Sequence, residues 1–169
     1  MTSPYLVPDI LAHDLKVVFC GTALGHESAR RRAYYAHPGN AFWKTLHRLG
    51  LTPRLVAPED YAQVLDYGIG LTDLCKTESG NDHELPDGCF DGASLKEKIT
   101  RYQPRFLAFT SKNAASGFLG TPAGQIPYGL QKEMLGQTRI FVLSSPSGQA
   151  RRWWREEVWE ALAQELRNG

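Results

Sequence analysis

Four sets of residues in this chain have the types and spacing to act together on a nucleotide. An aromatic pair, Tyr34 and Tyr35, lies in a first long loop. A carboxylate, Asp73, follows the apolar stretch Gly68-Ile-Gly-Leu-Thr. The small turn residues Ser145, Pro146, Ser147 and Gly148 lead to Gln149, and Arg151 stands two residues further on. Enzymes that act on a base inside a duplex must first extrude it. An aromatic face then stacks on the extruded base, turn residues bring backbone N–H groups to phosphate, and a side chain at a loop tip fills the vacated space. A carboxylate beside the sugar stabilises developing positive charge and steers a water. Each residue also has an ordinary use: tyrosines pack cores and loops, and an aspartate at a turn caps it.

Other chemistries fit less well. Gly21-Thr-Ala-Leu-Gly25 follows an apolar run as a phosphate-cradling loop would, but no Gly-Lys-Ser/Thr ending follows and the spacing is not G-x-G-x-x-G. Gly-x-Ser-x-Gly does not occur. His26 and His37 lack a third neighbour at metal-ligand spacing and read as loop-fixing residues. Cys20, Cys75 and Cys89 show no CxxC spacing and read as reduced, mostly buried thiols. Neither a metal nor a cofactor is expected.

The elements that must position these residues follow from pattern. Residues 15–20 (Leu-Lys-Val-Val-Phe-Cys), 105–110 (Arg-Phe-Leu-Ala-Phe-Thr) and 139–143 (Arg-Ile-Phe-Val-Leu) read as buried strands, and 68–74 as an apolar turn or strand. Helices are predicted over 40–49, 58–66, 94–102, 112–118 (capped by Ser111) and 153–167, the last with Trp154, Val158, Leu162 and Leu166 inward. Residues 21–38 and 75–92 read as long loops. Strands alternating with helices imply a three-layer α/β/α fold around a central, mostly parallel four-stranded sheet. Such sheets bind ligands at the carboxyl ends of their strands, so the loops after Cys20, Thr110 and Leu143 and the 68–74 segment should converge on one crevice.

Composition bounds the class. The 169 residues, 42% hydrophobic and 22% charged, suit one domain over 1–169, and at this size a chain buries roughly 70% of the surface it exposes when unfolded. A net charge of +1 argues against holding nucleic acid by bulk electrostatics. The distribution is uneven: residues 59–97 carry ten acids against Lys76 and Lys96, a local charge of −8, while Arg30, Arg31, Arg32 and Arg151, Arg152, Arg155 form two basic clusters. A polyanion could meet both clusters and avoid the acidic stretch, although solvated helix ends would look the same. The opening Met-Thr-Ser-Pro-Tyr-Leu-Val-Pro has no basic segment before a long apolar run, and no stretch reaches 18 apolar residues, so a cytoplasmic protein is expected. Without a heptad run, so is a monomer.

Several of these segments together carry a family resemblance. Lys16-Val-Val-Phe-Cys-Gly-Thr-Ala-Leu-Gly25, Tyr35-Ala-His-Pro-Gly-Asn-Ala-Phe-Trp-Lys44, Tyr102-Gln-Pro-Arg105 and Val142-Leu-Ser-Ser-Pro-Ser-Gly-Gln-Ala-Arg151 resemble the mismatch-specific uracil/thymine DNA glycosylases, in order from about Pro8 to the final helix. The family's Gly-Ile-Asn-Pro-Gly uses its Asn to position the attacking water; Ala23 stands there here. The resemblance is to a branch with Gly-Thr-Ala-Leu-Gly and an Asp in the later Gly-Leu-Thr-Asp turn, which makes Asp73 the substitute. By position, Tyr35 is implied to stack on the flipped base, and the backbone of Thr22, Ala23, Leu24 and Gly25 to wall the base pocket. Phe42 and Trp43 read as helix core. Ser145 replaces the Asn of the family's Asn-Pro-Ser-Gly, Gln149 replaces its apolar wedge, and Arg151 follows. Lys112 opens a helix beside the crevice, where binding an anion suits it better than a Schiff-base role, since the resemblance implies a monofunctional enzyme.

The expected reaction is hydrolysis of the N-glycosidic bond of uracil in double-stranded DNA, preferably opposite guanine or at another mismatch, leaving an abasic site. Two rivals stay open at this level. Ala23 supports a catalytically silent lesion-binding module, and an acid near a sugar also suits a small-molecule nucleoside hydrolase or ribosyltransferase.

Overall fold

The computed structural model describes residues 4–169; Met1, Thr2 and Ser3 of the opening segment lie outside the described residues. Strand β1 (Val17–Gly21) is buried along its whole length, as are β2 (Ile69–Asp73) and β3 (Phe106–Phe109). Such near-continuous apolar runs belong to parallel strands covered on both faces. Alternate residues serve the two faces. Val17, Phe19, Leu71 and Ala108 join Phe42, Trp43 and Leu46 of α2 (Phe42–Arg48) with Trp159, Leu162 and Leu166 of α5 (Glu156–Arg167). Val18, Cys20, Leu107 and Phe109 join Leu95 and Ile99 of α3 (Gly92–Tyr102) with Ala114 and Ala115 of α4 (Lys112–Leu119). Three layers result, as expected. Ser111 caps α4 by accepting from the Ala114 N–H at 3.0 Å, also as expected.

The sheet has five strands rather than four, in the order β2-β1-β3-β5-β4. Strand β5 (Thr138–Val142) pairs parallel with β3, whereas β4 (Gly129–Leu135) closes the edge antiparallel to β5. Residues 129–135, Gly-Leu-Gln-Lys-Glu-Met-Leu, lack the β-branched signal of a strand, and most of them are exposed or half-buried at the sheet edge. Pairing across the turn after Leu135, where Gly136 takes φ +60°, makes them a strand.

Boundaries shift elsewhere. A short α1 (His26–Arg31) forms within the expected first loop, and residues 58–67 are a 3-10 rather than an α-helix. Helix α5 begins at Glu156, after a separate 3-10 segment over 148–153. Its inward stripe is accordingly rotated: Leu162 and Leu166 are buried, but Trp159 and Ala163 share the core while Trp154 and Val158 pack only partly buried against it. Trp159 is 1% exposed, stacks on Phe19, and donates its indole N–H to the Ser144 carbonyl at 3.0 Å. Trp159→Ala is expected to cost about 3–5 kcal/mol of stability, read as a lower urea midpoint.

Candidate active site

Parallel register places Gly21, the last residue of β1, opposite Asp73, the last of β2. Next door, the Thr110 N–H donates to the Cys20 carbonyl at 3.0 Å, so the residue after β3 reaches the same level. A Cβ added to Gly21 would stand 2.8 Å from Asp73 Oδ1, 3.3 Å from Thr110 Oγ1 and 3.6 Å from Tyr35 Oη. Three polar groups therefore converge on one point at the strands' carboxyl ends, so closely that position 21 has no room for a side chain.

Tyr35 reaches this point through an unusual backbone. Its φ is +51°, in the left-handed region where a bulky residue is strained. The turn is held on both sides: the Ala36 N–H donates to Ser28 Oγ at 2.8 Å and the Trp43 indole N–H to the Tyr34 carbonyl at 2.9 Å. The Tyr35 ring stacks on Phe42, centroids 3.9 Å apart and planes at 21°, and its hydroxyl donates to Thr110 Oγ1 at 3.4 Å. Burial, then the Asp73 charge, push its phenol well above the ordinary value, so it stays a neutral donor. Tyr34 points elsewhere: it is 1% exposed and donates to the Pro8 carbonyl at 3.0 Å, so of the aromatic pair only Tyr35 serves the site.

Asp73 is 5% exposed, and its Oδ2 has no hydrogen-bond partner among the described residues. Burial pushes its carboxyl up to about 7, against the pull of Lys76; Asp9 adds to the rise, while the Gly21 backbone N–H and Lys98 oppose it. Lys76 is itself buried, 3.1 Å from Asp9 Oδ1 and donating to the Tyr34 hydroxyl at 2.8 Å. Asp9 is bound in turn by Lys98 at 2.6 Å and by the hydroxyl of Thr72, the neighbour of Asp73, at 2.6 Å. A charged network thus backs the strand end that presents the carboxyl group. A carboxylate with one oxygen left bare in low dielectric is a strong local source of negative potential.

The segment 22–26 runs on from the end of β1 and is tied to residues 75–82. The Thr22 carbonyl accepts from the Cys75 N–H at 2.8 Å, the Leu24 carbonyl from the Gly80 N–H at 2.9 Å, and Leu24 bridges to Ser79. Buried Thr22 donates its hydroxyl to Asp82 Oδ1 at 2.6 Å, and Asp82 Oδ2 accepts from the Asn113 amide at 2.8 Å. Leu24 sends its side chain into the core, with Ala23 half-buried and Gly25 exposed ahead of α1. Residues 75–84 are therefore a strap tied along the first loop rather than the free loop expected from their polarity.

The 145–151 loop follows β5 and returns to the segment after Tyr35. The Ala41 N–H donates to the Pro146 carbonyl at 2.9 Å, and a Cβ on Gly148 would meet the Gly39 carbonyl oxygen at 3.2 Å, so this loop packs on the segment that follows Tyr35. Ser145 Oγ accepts from the Ser147 N–H at 3.2 Å and Ser147 Oγ from the Gln149 N–H at 3.3 Å, which leaves Gln149 exposed at the tip.

The uracil DNA glycosylase superfamily model matches residues 8–164. The chain belongs to the uracil DNA glycosylase superfamily. Its structure is also similar to the solution NMR structure of a candidate uracil DNA glycosylase from Methanosarcina acetivorans, with TM-score 0.66 and 26% identity over 95% of this chain and 96% of that one. Membership makes the chain a DNA glycosylase, a hydrolase of DNA repair with DNA as its partner.

Among the remaining residues singled out by sequence, the glycosylase fold separates the two arginine clusters. Arg30 pairs with Glu27, and Arg31 with Glu59 and the Ala36 carbonyl, so the first cluster is largely spent within the protein. Among the described residues no carboxylate pairs with Arg151, Arg152 or Arg155, and all three are exposed beside the crevice loop. Lys112 places its Nζ over the Tyr128 ring, 4.3 Å from the centroid. No group of three or more His, Cys, Asp or Glu side chains among the described residues is placed to hold a metal ion. Sequence reasoning missed Thr110, Asp82 and Asn113. Thr110 was visible only as a strand end, Asp82 lies in the polar strap, and Asn113 is the second residue of α4.

Proposed function

We propose that this glycosylase is of the mismatch-specific kind and removes uracil from double-stranded DNA as a monofunctional monomer, preferring uracil opposite guanine. The observation that carries this reading is the buried Asp73 Oδ2, without a hydrogen-bond partner among the described residues, beside Tyr35 and Thr110 at the close approach to Gly21. Flipping costs a few kcal/mol and least at a mismatch, so selection begins before the pocket reads the base. The extruded base meets the Tyr35 face that Phe42 does not cover, against the backbone of Thr22, Ala23, Leu24 and Gly25. As the base departs, the sugar acquires oxocarbenium character, and the Asp73 carboxylate stabilises that charge and directs water to the sugar carbon. Ala23 has no group for this task, so Asp73 performs it. The loop of Ser145, Pro146, Ser147 and Gly148 lies against phosphate, Gln149 fills the vacated stack, and Arg151 and Lys112 hold the backbone.

A duplex carrying one uracil opposite guanine, incubated with the protein and treated with alkali, is expected to break at the uracil. Intact DNA together with tight lesion binding would instead make the chain a silent sensor. Hydrolysis of free nucleosides without cleavage of DNA would make it a small-molecule hydrolase.

A further inference from the structure

Lys76 stands three residues beyond Asp73, on the chain that continues β2 past the site, and its side chain is 6% exposed. Its Nζ lies 3.1 Å from Asp9 Oδ1 and donates to the Tyr34 hydroxyl at 2.8 Å, with the centroids of the Tyr34 and Tyr5 rings 5.1 Å and 5.4 Å away. These partners tie it to both sides of the site. Tyr34 adjoins Tyr35, and Asp9 accepts from the hydroxyl of Thr72, the residue before Asp73, at 2.6 Å. Burying an ammonium group is costly, yet none of its partners depends on it. Without Lys76, Asp9 would keep Lys98 at 2.6 Å and Thr72, and the Tyr34 hydroxyl would keep the Pro8 carbonyl at 3.0 Å. No polar group would be orphaned, so hydrogen-bond satisfaction does not explain a cation in this position.

Asp73 does explain it. Burial drives that carboxyl toward its protonated form, and the strongest opposing influence is Lys76; Asp9 reinforces the burial, while the Gly21 N–H and Lys98 side with Lys76. The other titratable groups that face Asp73 are Tyr34, Tyr35 and the Cys20 thiol of β1, all pushed up by burial and therefore neutral. We infer that Lys76 is a positioning residue for the glycosylase reaction: clamped behind the strand end by Asp9 and Tyr34, its cation holds Asp73 as a carboxylate while the base departs. The inference rests on the proposed role of Asp73 in stabilising charge and steering water at the sugar.

The test compares the wild type, Lys76→Met, Lys76→Arg and Asp9→Asn by single-turnover cleavage of a duplex with uracil opposite guanine, from about pH 5.5 to about pH 9, and by thermal midpoint over the same range without DNA. In Lys76→Met the rise of cleavage with pH should move up by about one pH unit, so that cleavage is about tenfold slower at about pH 6 and within about twofold of wild type at about pH 9. Lys76→Arg should restore the wild-type profile, and Asp9→Asn, which removes the opposing charge, should move it down. The fall of stability with pH, which ends at about pH 7 in the wild type, should continue to about pH 8 in Lys76→Met, and adding Asp73→Asn should abolish that extension. A Lys76→Met midpoint unmoved in both measurements, whatever the loss of rate, would reduce Lys76 to a structural tie and overturn the inference. So would Lys76→Met and Asp9→Asn profiles that shift in the same direction. A displaced stability curve with a cleavage profile that moves in no variant counts against the proposed role of Asp73, which would then titrate without controlling the reaction, and leaves its hold by Lys76 standing.

Discussion

Asp73→Asn and Asp73→Ala are each expected to lower uracil release by about 10³-fold or more while lesion binding changes by only a few-fold, measured by single-turnover cleavage and by titration of labelled duplex. The size follows from what the carboxylate does: one preorganised charge at the reacting centre is worth about 10²–10³, and steering the nucleophile adds to it. Undiminished cleavage by both variants would remove Asp73 from its role. The same group sets the pH response. With its pKa raised from 3.8 to about 7, cleavage at subsaturating DNA should climb as pH rises through about 7, where the carboxyl ionises. Stability runs the other way. The folded state keeps a proton that the unfolded chain releases, so stability falls as pH rises from about 4 to about 7 and then levels. At roughly 1.4 kcal/mol per unit, this amounts to about 4 kcal/mol, the cost of ionising a carboxyl group stripped of water. Asp73→Asn should therefore be inactive and more stable than the parent at pH 8, with the pH slope of its thermal midpoint flattened.

Gly21→Ala is expected to reduce cleavage by about 10²-fold or more without unfolding the protein. The new methyl group would stand 2.8 Å from Asp73 Oδ1, inside contact distance, and β1 cannot yield because it is paired with β2 on one side and β3 on the other. The carboxyl group must rotate away, and a displacement of about 1 Å at a reacting centre suffices for a loss of that size. In the Asp73→Asn background the same substitution should add almost nothing, since both changes remove one function; independent, multiplying losses would show that Gly21 acts apart from Asp73. Circular dichroism of each variant separates a misplaced carboxyl from a misfolded sheet.

The layered sheet was legible along the chain because its central strands are uninterrupted apolar runs and its helices carry local signals, the Ser111 cap among them. The edge strand β4 was not, because a half-exposed strand carries little apolar signal and becomes a strand only by pairing with β5. In the site, Tyr35, Asp73 and the 145–151 loop stood out by residue type. Thr110, Asp82 and Asn113 did not, since a hydroxyl, an acid and an amide in polar surroundings look like any others until their partners are known. Nor did composition distinguish the arginines bound to Glu27 and Glu59 from those left free at 151, 152 and 155.

By itself, then, the order of residues determined the alternation of strands and helices, the caps and the segments able to handle a nucleotide, because those depend on neighbours within a few positions. Only the tertiary structure decided that Gly21 and Asp73, 52 positions apart, end adjacent parallel strands in register, with Thr110 beside them. Parallel pairing is a long-range choice made when the whole sheet buries its faces, and the burial that creates it also strips Asp73 of water and leaves one of its oxygens without a partner among the described residues.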